Sequence, residues 1–522
     1  MMRECSKNLP MNRVSVFLIG TTLMLVPMLL NGSAFVYFDT ASYLSRPDKA
    51  IGLLTEALSG TGPSSAEIAT TNGRLEPSGS SSATHGDYIV GGRSVFYGLA
   101  VWAATAIGRP EVMAVIQAAA TVAVLYAAWG LLPRSAEFRR EGELVLVIGL
   151  LALITPAGFF AGLLMPDVFA PLVVLSVALL VCAWTELGRL VRWGLLLLLT
   201  FGLVAHTSHL LIAIGMLGTG VLLHLSMPSK RRFLSIPGLA SCAGAAIAAI
   251  AALLSTDIAA ERMTGVDVIP RPHLTAHLVD GGPGALWVAR NCPNADETTL
   301  DDGQMAVCAF RDRIPTDWIA FLFSDAPERG AFQARDAAPD LRRALSDQDL
   351  AFALAVFRDD PAGTLRFMVG DFAEQLFSVR YDDVPLADRS FEDRVDAFPP
   401  EFAAAGGGRI ASDPALLAGL SGVAEITAVA GAIALLIGCA VLCRTPTLSA
   451  QAGTLLWVTG AVILGVVLNA AICGMLASPY DRFQSRVIFL IPAFAMVIWS
   501  AILRHSFLSQ SIPLTRSESV TE

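Results

Sequence analysis

The chain has 522 residues, 54% of them hydrophobic and 16% charged, with a mean hydropathy of +0.60 and a formal net charge of −9. This balance excludes a soluble globular enzyme of the same length and points to a polytopic membrane protein. With no basic stripe in the sequence, nucleic acid is excluded as a partner. The acidity is local: residues 256–413 hold 28 acidic and 15 basic side chains.

The first apolar run covers 14–35 and follows Arg3, Lys7 and Arg13. It is long enough to span, so it is read as a retained helix rather than a cleaved signal, with its basic flank inside and Asp39 outside. Residues 48–59 pattern as a short amphipathic helix lying in the interface, and 60–86, rich in Gly, Ser and Thr, as a loop. The apolar stretch 94–107 is too short to cross. Placing it in the interface puts Arg134, Arg139 and Arg140 inside and lets every later basic loop obey the charge rule. Spans are then expected at 111–132, 143–164, 168–184, 193–205 (short, so tilted or starting earlier), 209–226 and 233–255. After the acidic segment come spans at 418–442, 452–475 and 485–503. The expectation is ten spans with both ends inside and no internal repeat.

The units predicted are an N-terminal membrane module, 1–255, with its first outer loop at 36–110; an extramembrane domain, 256–413; closing spans, 414–505; and a tail, 506–522. The domain reads as mainly helical. Ser346 with Asp349 fits a capping box, and Pro361 separates two apolar runs. No sheet is legible in it. Of eight cysteines, Cys292 and Cys308 alone lie in this polar segment, where an oxidising compartment would allow them to pair. Cys5, Cys182, Cys242, Cys439, Cys443 and Cys473 read as small apolar residues or tail.

With this topology the unusual polar residues gather on one face. Asp39 and Tyr43 follow the first span. Arg93 precedes the interfacial helix. Asp167, in Met165-Pro166-Asp167, lies at an outer turn, and His206 and His209 lie at another. Tyr480, Arg482 and Arg486 open the last span. Each alone has a plain explanation: a solvated helix end, a satisfied histidine, a snorkelling arginine. Together they suit attack on a lipid-linked phosphate ester, with arginines holding phosphate and a carboxylate as base.

The motif Asp39-Thr-Ala-Ser-Tyr43, the short helices at 48–59 and 94–107, and Met165-Pro-Asp167 give the chain a resemblance to the GT-C superfamily of polytopic glycosyltransferases. That family includes lipid A aminoarabinose transferase and the protein mannosyltransferases. The resemblance covers the layout of about residues 14–226. It implies an all-α, GT-C-like fold and an inverting hexosyl- or pentosyltransferase in the bacterial inner (plasma) membrane, its site facing the periplasm. It also implies a polyprenyl-phosphate sugar donor and a cell-envelope glycan, lipid or protein acceptor. Asp39 would be the catalytic base, with Asp167 positioning the acceptor or holding a divalent cation, which is left open. Arg93, with Arg482 and Arg486, would bind donor phosphate. Tyr43, His206, His209 and Tyr480 would contact substrate. Two features depart from the family: Thr40, Ala41 and Ser42 replace the usual charged residues, and the soluble segment lies before the last three spans. The outer-face arginines and the large outer segment late in the chain keep alive a polymerase or ligase using a diphosphate-linked glycan. A transporter is disfavoured by the scarcity of mid-span charges.

Overall fold

The structure, a computed structural model, describes residues 12–43, 84–85, 88–91, 93–107, 109–132, 140–227, 233–292, 304–386 and 407–510. The first apolar run forms α1 (Arg13–Met24) and α2 (Val26–Asn31), broken where Pro27 enters because proline donates no backbone hydrogen bond. Strands β1 (Thr84–His85) and β2 (Tyr88–Val90) precede α3 (Val95–Ala106) and α4 (Glu111–Trp129). Thr155-Pro156 kinks the next run into α5 (Arg140–Ile154) and α6 (Ala157–Gly162). A 3-10 turn, Pro166–Val168, opens α7 (Phe169–Cys182), and α8 (Arg189–Ala205), α9 (Thr207–Ser226) and α10 (Ile236–Thr264) follow. The extramembrane domain then contributes β3 (Asp267–Ile269), α11 (His273–Val279), α12 (Pro283–Asn291), a 3-10 stretch (Ala306–Arg313) and α13 (Trp318–Phe323). It continues with α14 (Pro339–Asp347), α15 (Asp349–Asp359) and α16 (Pro361–Phe377). Apolar helices resume as α17 (Pro414–Arg444), α18 (Pro446–Leu476), α19 (Asp481–Ile488) and α20 (Leu490–Gln510).

Among the described residues, six helices are long and apolar enough to cross a membrane: α4, α9, α10, α17, the Gly453–Leu476 part of α18, and α19 with α20 over Asp481–His505. The chain is a mostly helical polytopic membrane protein. Shorter helices occupy the other stretches read as spans. Of these, α1 and α5 gain length from α2 and α6 beyond their kinks, and α8 begins at Arg189, earlier than expected. With 12 residues, α3 is well short of the roughly 20 a crossing requires. The helix expected over 48–59 lies outside the described residues. Buried along its whole length, α7 is the axis on which α8, α9, α10 and α18 pack. The approach of α10 is close enough that a Cβ at Gly238 would fall 2.0 Å from the Leu180 carbonyl oxygen, so only glycine fits there.

Apolar side chains form two cores, one among the membrane helices and one in the extramembrane domain. The second is not built from 256–413 alone. Tyr88 and Val90 of β2 belong to it, because β2 pairs in parallel with β3 and antiparallel with β1 in a three-stranded sheet. Strands of two and three residues drawn from distant segments carry no alternation long enough to read. Conversely Val384, Leu386 and Ile410 sit in the membrane core. The buried Asn31 side chain ties that region together: it accepts from the Ile410 and Ala411 amides at 2.9 and 3.0 Å and donates to the Ser33 carbonyl at 3.1 Å.

The capping box is a correction. Ser346 lies in the last turn of α14 and its hydroxyl donates to the Pro270 carbonyl at 2.8 Å. Asp349 instead turns its carboxylate to the start of α11, accepting from the Thr275 amide at 2.7 Å and hydroxyl at 2.8 Å, and from the Leu274 amide at 3.3 Å. With α14 and α15 separated only by Gln348, Ser346 never occupies a helix entry. Pro361 does open α16, and Cys292 is joined to Cys308.

Candidate functional site

Backbone pairing builds the site. After α2, Gly32 takes φ +89°, a left-handed cap that suits glycine, and the chain runs extended against 162–164. The Phe35 amide donates to the Gly162 carbonyl and the Leu164 amide to the Phe35 carbonyl, both at 2.9 Å. Thr40, fully buried, locks the turn: its hydroxyl donates to the Leu164 carbonyl at 3.1 Å and accepts from the Tyr37 amide at 2.9 Å. This zipper sets Asp39 beside the turn that carries Asp167. Ser94 caps α3 and donates to the Val204 carbonyl at 2.6 Å, which anchors Arg93 where it pairs with Asp39.

On α19, Arg482 and Arg486 are four residues apart and so share a face. Arg482 grips Asp167 with two donors, at 3.0 and 2.9 Å, and lies 3.5 Å from Asp39. Its guanidinium also covers the Tyr37 ring at 4.2 Å. Arg486 approaches Asp167 at 3.2 Å and donates to Ser208 and Asn469 at 3.1 Å each. Two carboxylates and three guanidiniums thus form one connected network. Buried charges persist where each has partners, and this network supplies them.

Above the network opens a cavity of about 1020 Å³. One wall carries Tyr37, Asp39, Arg93, His206, Tyr480 and Arg482. The extramembrane domain supplies the other, with Arg271, His273, Trp318, Phe323 and Arg329. A third side is apolar, made by Leu211 of α9 and Ile472 and Leu476 of α18. Leu211 and Leu476 are each 39% exposed, so the cavity has an apolar margin on the bundle's outer surface. No protein-family model, characterised protein or solved structure matches the chain. What the site does must therefore be argued from its own groups.

Not every predicted residue reaches the cavity. Asp39, Arg93, His206, Tyr480 and Arg482 line it. Asp167 and Arg486 lie beneath, 1% and 0% exposed. His209 is buried, its Nδ1 2.9 Å from the Gly202 carbonyl, with its ring 5.3 Å from that of His206. Tyr43 is buried edge-on against Tyr97 at 5.0 Å, and its hydroxyl finds no hydrogen-bond partner among the described residues. Sequence reasoning overlooked Tyr37, Ser208, Asn469 and Gln375. The Gln375 side chain clasps both backbone groups of Tyr480, donating to its carbonyl at 2.9 Å and accepting from its amide at 2.8 Å. Only Tyr37, two residues before Asp39, carried a signal that could have been read.

A divalent cation does not fit Asp167. Both its oxygens are engaged by guanidiniums within 3.2 Å, and those positive charges oppose a second cation. Among the described residues, no group of three His, Cys, Asp or Glu side chains converges as a metal would require.

Proposed function

We propose that the chain is an inverting glycosyltransferase of GT-C type that spans the bacterial inner membrane ten times. It would move a sugar from a polyprenyl-phosphate donor to a cell-envelope acceptor at the outer face. The observation that carries this reading is the cavity's composition. Asp39 lies between Arg93 and Arg482 at a polar wall, while Leu211, Ile472 and Leu476 supply an apolar margin for a lipid chain. A ligand with a phosphate head and a long hydrocarbon tail matches both sides.

In the proposed reaction the donor phosphate draws Arg93 and Arg482 to itself, which frees the Asp39 carboxylate. Asp39 takes the proton from an acceptor hydroxyl as the oxygen bonds to the anomeric carbon. The carbon–oxygen bond to phosphate breaks, its electron pair leaves with the polyprenyl phosphate, and the guanidiniums stabilise that charge. One displacement inverts the sugar. Asp167 touches no substrate here; it holds Arg482 and Arg486 in place.

Arg271 and Arg329 on the opposite wall favour a second reading, in which the donor carries two phosphates. One experiment addresses both: purified protein in proteoliposomes, given polyprenyl-monophosphate sugar or diphosphate-linked glycan, with the prenol product identified. Monophosphate turnover that disappears in Asp39→Asn supports the first reading. Turnover unaffected by Asp39→Asn removes the mechanism.

A further inference from the structure

His206 lines the cavity half-buried, and among the described residues nothing accepts a hydrogen bond from its Nε2. The residue joins α8 to α9 with an extended backbone, φ −159° and ψ 135°, and its ring caps α9. The Ser208 amide donates to His206 Nδ1 at 3.2 Å, and the Ser208 hydroxyl lies 2.9 Å from the same nitrogen. An amide N–H can only donate, so Nδ1 is the acceptor and the one proton of the neutral ring sits on Nε2. A second proton, on Nδ1, would face that amide head-on.

Behind Ser208 stands Arg486, which donates to the Ser208 hydroxyl oxygen at 3.1 Å. The hydrogen of that hydroxyl is then free to turn to Nδ1, and a directed chain runs from Arg486 through Ser208 to the imidazole. Hydrogen bonds in series polarise one another, so donation into Nδ1 makes Nε2–H a better donor. Arg486 is itself fully buried beneath the cavity, and this chain is its route to the surface. His209 offers no second donor there: its Nδ1 faces the Gly202 carbonyl at 2.9 Å and its ring is fully buried.

The place of His206 along α9 indicates what its N–H meets. Leu211, in the apolar margin of the cavity, is five residues further on, about 7 Å along the helix axis. Thr207, four residues before Leu211, lines the same cavity. The ring therefore stands where a strip suited to a hydrocarbon tail gives way to the wall that carries Asp39, Arg93 and Arg482. On the lipid-phosphate reading above, on which this assignment rests, we propose that His206 is a phosphate-binding residue. Its Nε2–H donates to a phosphoryl oxygen of the lipid-linked substrate, and Ser208 and Arg486 are positioning residues that keep the proton on Nε2. The neutral ring adds a directed hydrogen bond to the charges that Arg93 and Arg482 bring to the same group.

Two substitutions separate this contact from the helix cap. Asparagine is a strong N-cap, but its short side chain ends near the place of Nδ1. Glutamine is a poor cap whose longer amide reaches the place of Nε2 and donates there. The full-length protein in nanodiscs is titrated calorimetrically with farnesyl phosphate, a short prenyl monophosphate, and with farnesol, the same chain without phosphate. His206→Asn is expected to keep the wild-type unfolding temperature and to weaken farnesyl phosphate binding about tenfold. His206→Gln is expected to melt lower yet bind within about threefold of wild type, and farnesol should not distinguish the three proteins. If His206→Asn binds the phosphate as wild type does, or the two variants lose affinity alike, the assignment is overturned while the lipid-phosphate reading stands. Wild-type protein that binds farnesyl phosphate no better than farnesol removes both.

Discussion

Arg482 stands between two carboxylates, its guanidinium 2.9 Å from Asp167 and 3.5 Å from Asp39. The first contact is buried and two-pronged, and the second faces the cavity. This asymmetry separates what holds the site from what can react in it.

Asp167→Asn leaves two buried guanidiniums without their shared counter-charge. Breaking a buried ion pair from one side costs about 3–5 kcal/mol, so a large fall in unfolding temperature is expected in detergent. Asp39→Asn is expected to cost less than that, because Arg482 keeps Asp167 as its close partner, while abolishing transfer. If the two variants melt alike, the division between support and reaction is wrong.

Arg482→Lys keeps the charge but loses the paired donors toward Asp167 and the planar contact with Tyr37. A fall in turnover on the order of 10²-fold is expected, with a smaller one for Arg93→Lys. Steady-state rates with the monophosphate donor measure both.

Asn31→Ala removes the acceptor for two amides and leaves them buried. The expected cost is about 1–3 kcal/mol. Hydrogen exchange at the Ile410 and Ala411 amides should quicken well before the rest of the membrane core; no local change would show that other groups hold that junction.

A histidine and a carboxylate, His277 and Asp371, meet at 3.3 Å where the domain rests on α18. Burial pushes His277 down to about 4, and burial, with Glu374 and Asp280 nearby, pushes Asp371 up to about 6. A lowered histidine binds fewer protons folded than unfolded, so its share of stability is lost as pH falls from 6.5 toward 4. A raised carboxylate does the opposite, adding stability as pH falls through 6. Asp371→Asn should therefore steepen acid destabilisation, and His277→Gln should reverse its slope. Melting curves between pH 7 and 4.5 check the signs; parallel profiles would rule out both assignments.

Much of the helical layout was legible because apolar runs of membrane length leave little choice, and because Pro361 marks a break by its own chemistry; the breaks near Pro27 and Pro156 fall inside runs read as continuous spans. Asp39, Asp167 and Arg482 stood out as charges at the ends of such runs. The pairing of Phe35 with Gly162 and Leu164 was invisible, since backbone groups make it and any residue can supply them. The same holds for β2 and β3. Ser346 and Asp349 misled because a spacing typical of helix entry occurs here within an almost continuous helical stretch. Gln375 was missed because a neutral amide in an amphipathic helix carries no mark of the backbone it will meet.

The parallel pairing of β2 with β3 has a bearing on biogenesis. Tyr88 and Val90 leave the ribosome long before Ile269, with the helices α3 to α10 synthesised between them. Completion of the second core must therefore wait until a late segment joins an early one on the same side of the membrane. A fragment starting at residue 256 would lack two of its own interior side chains, and would need them supplied in trans.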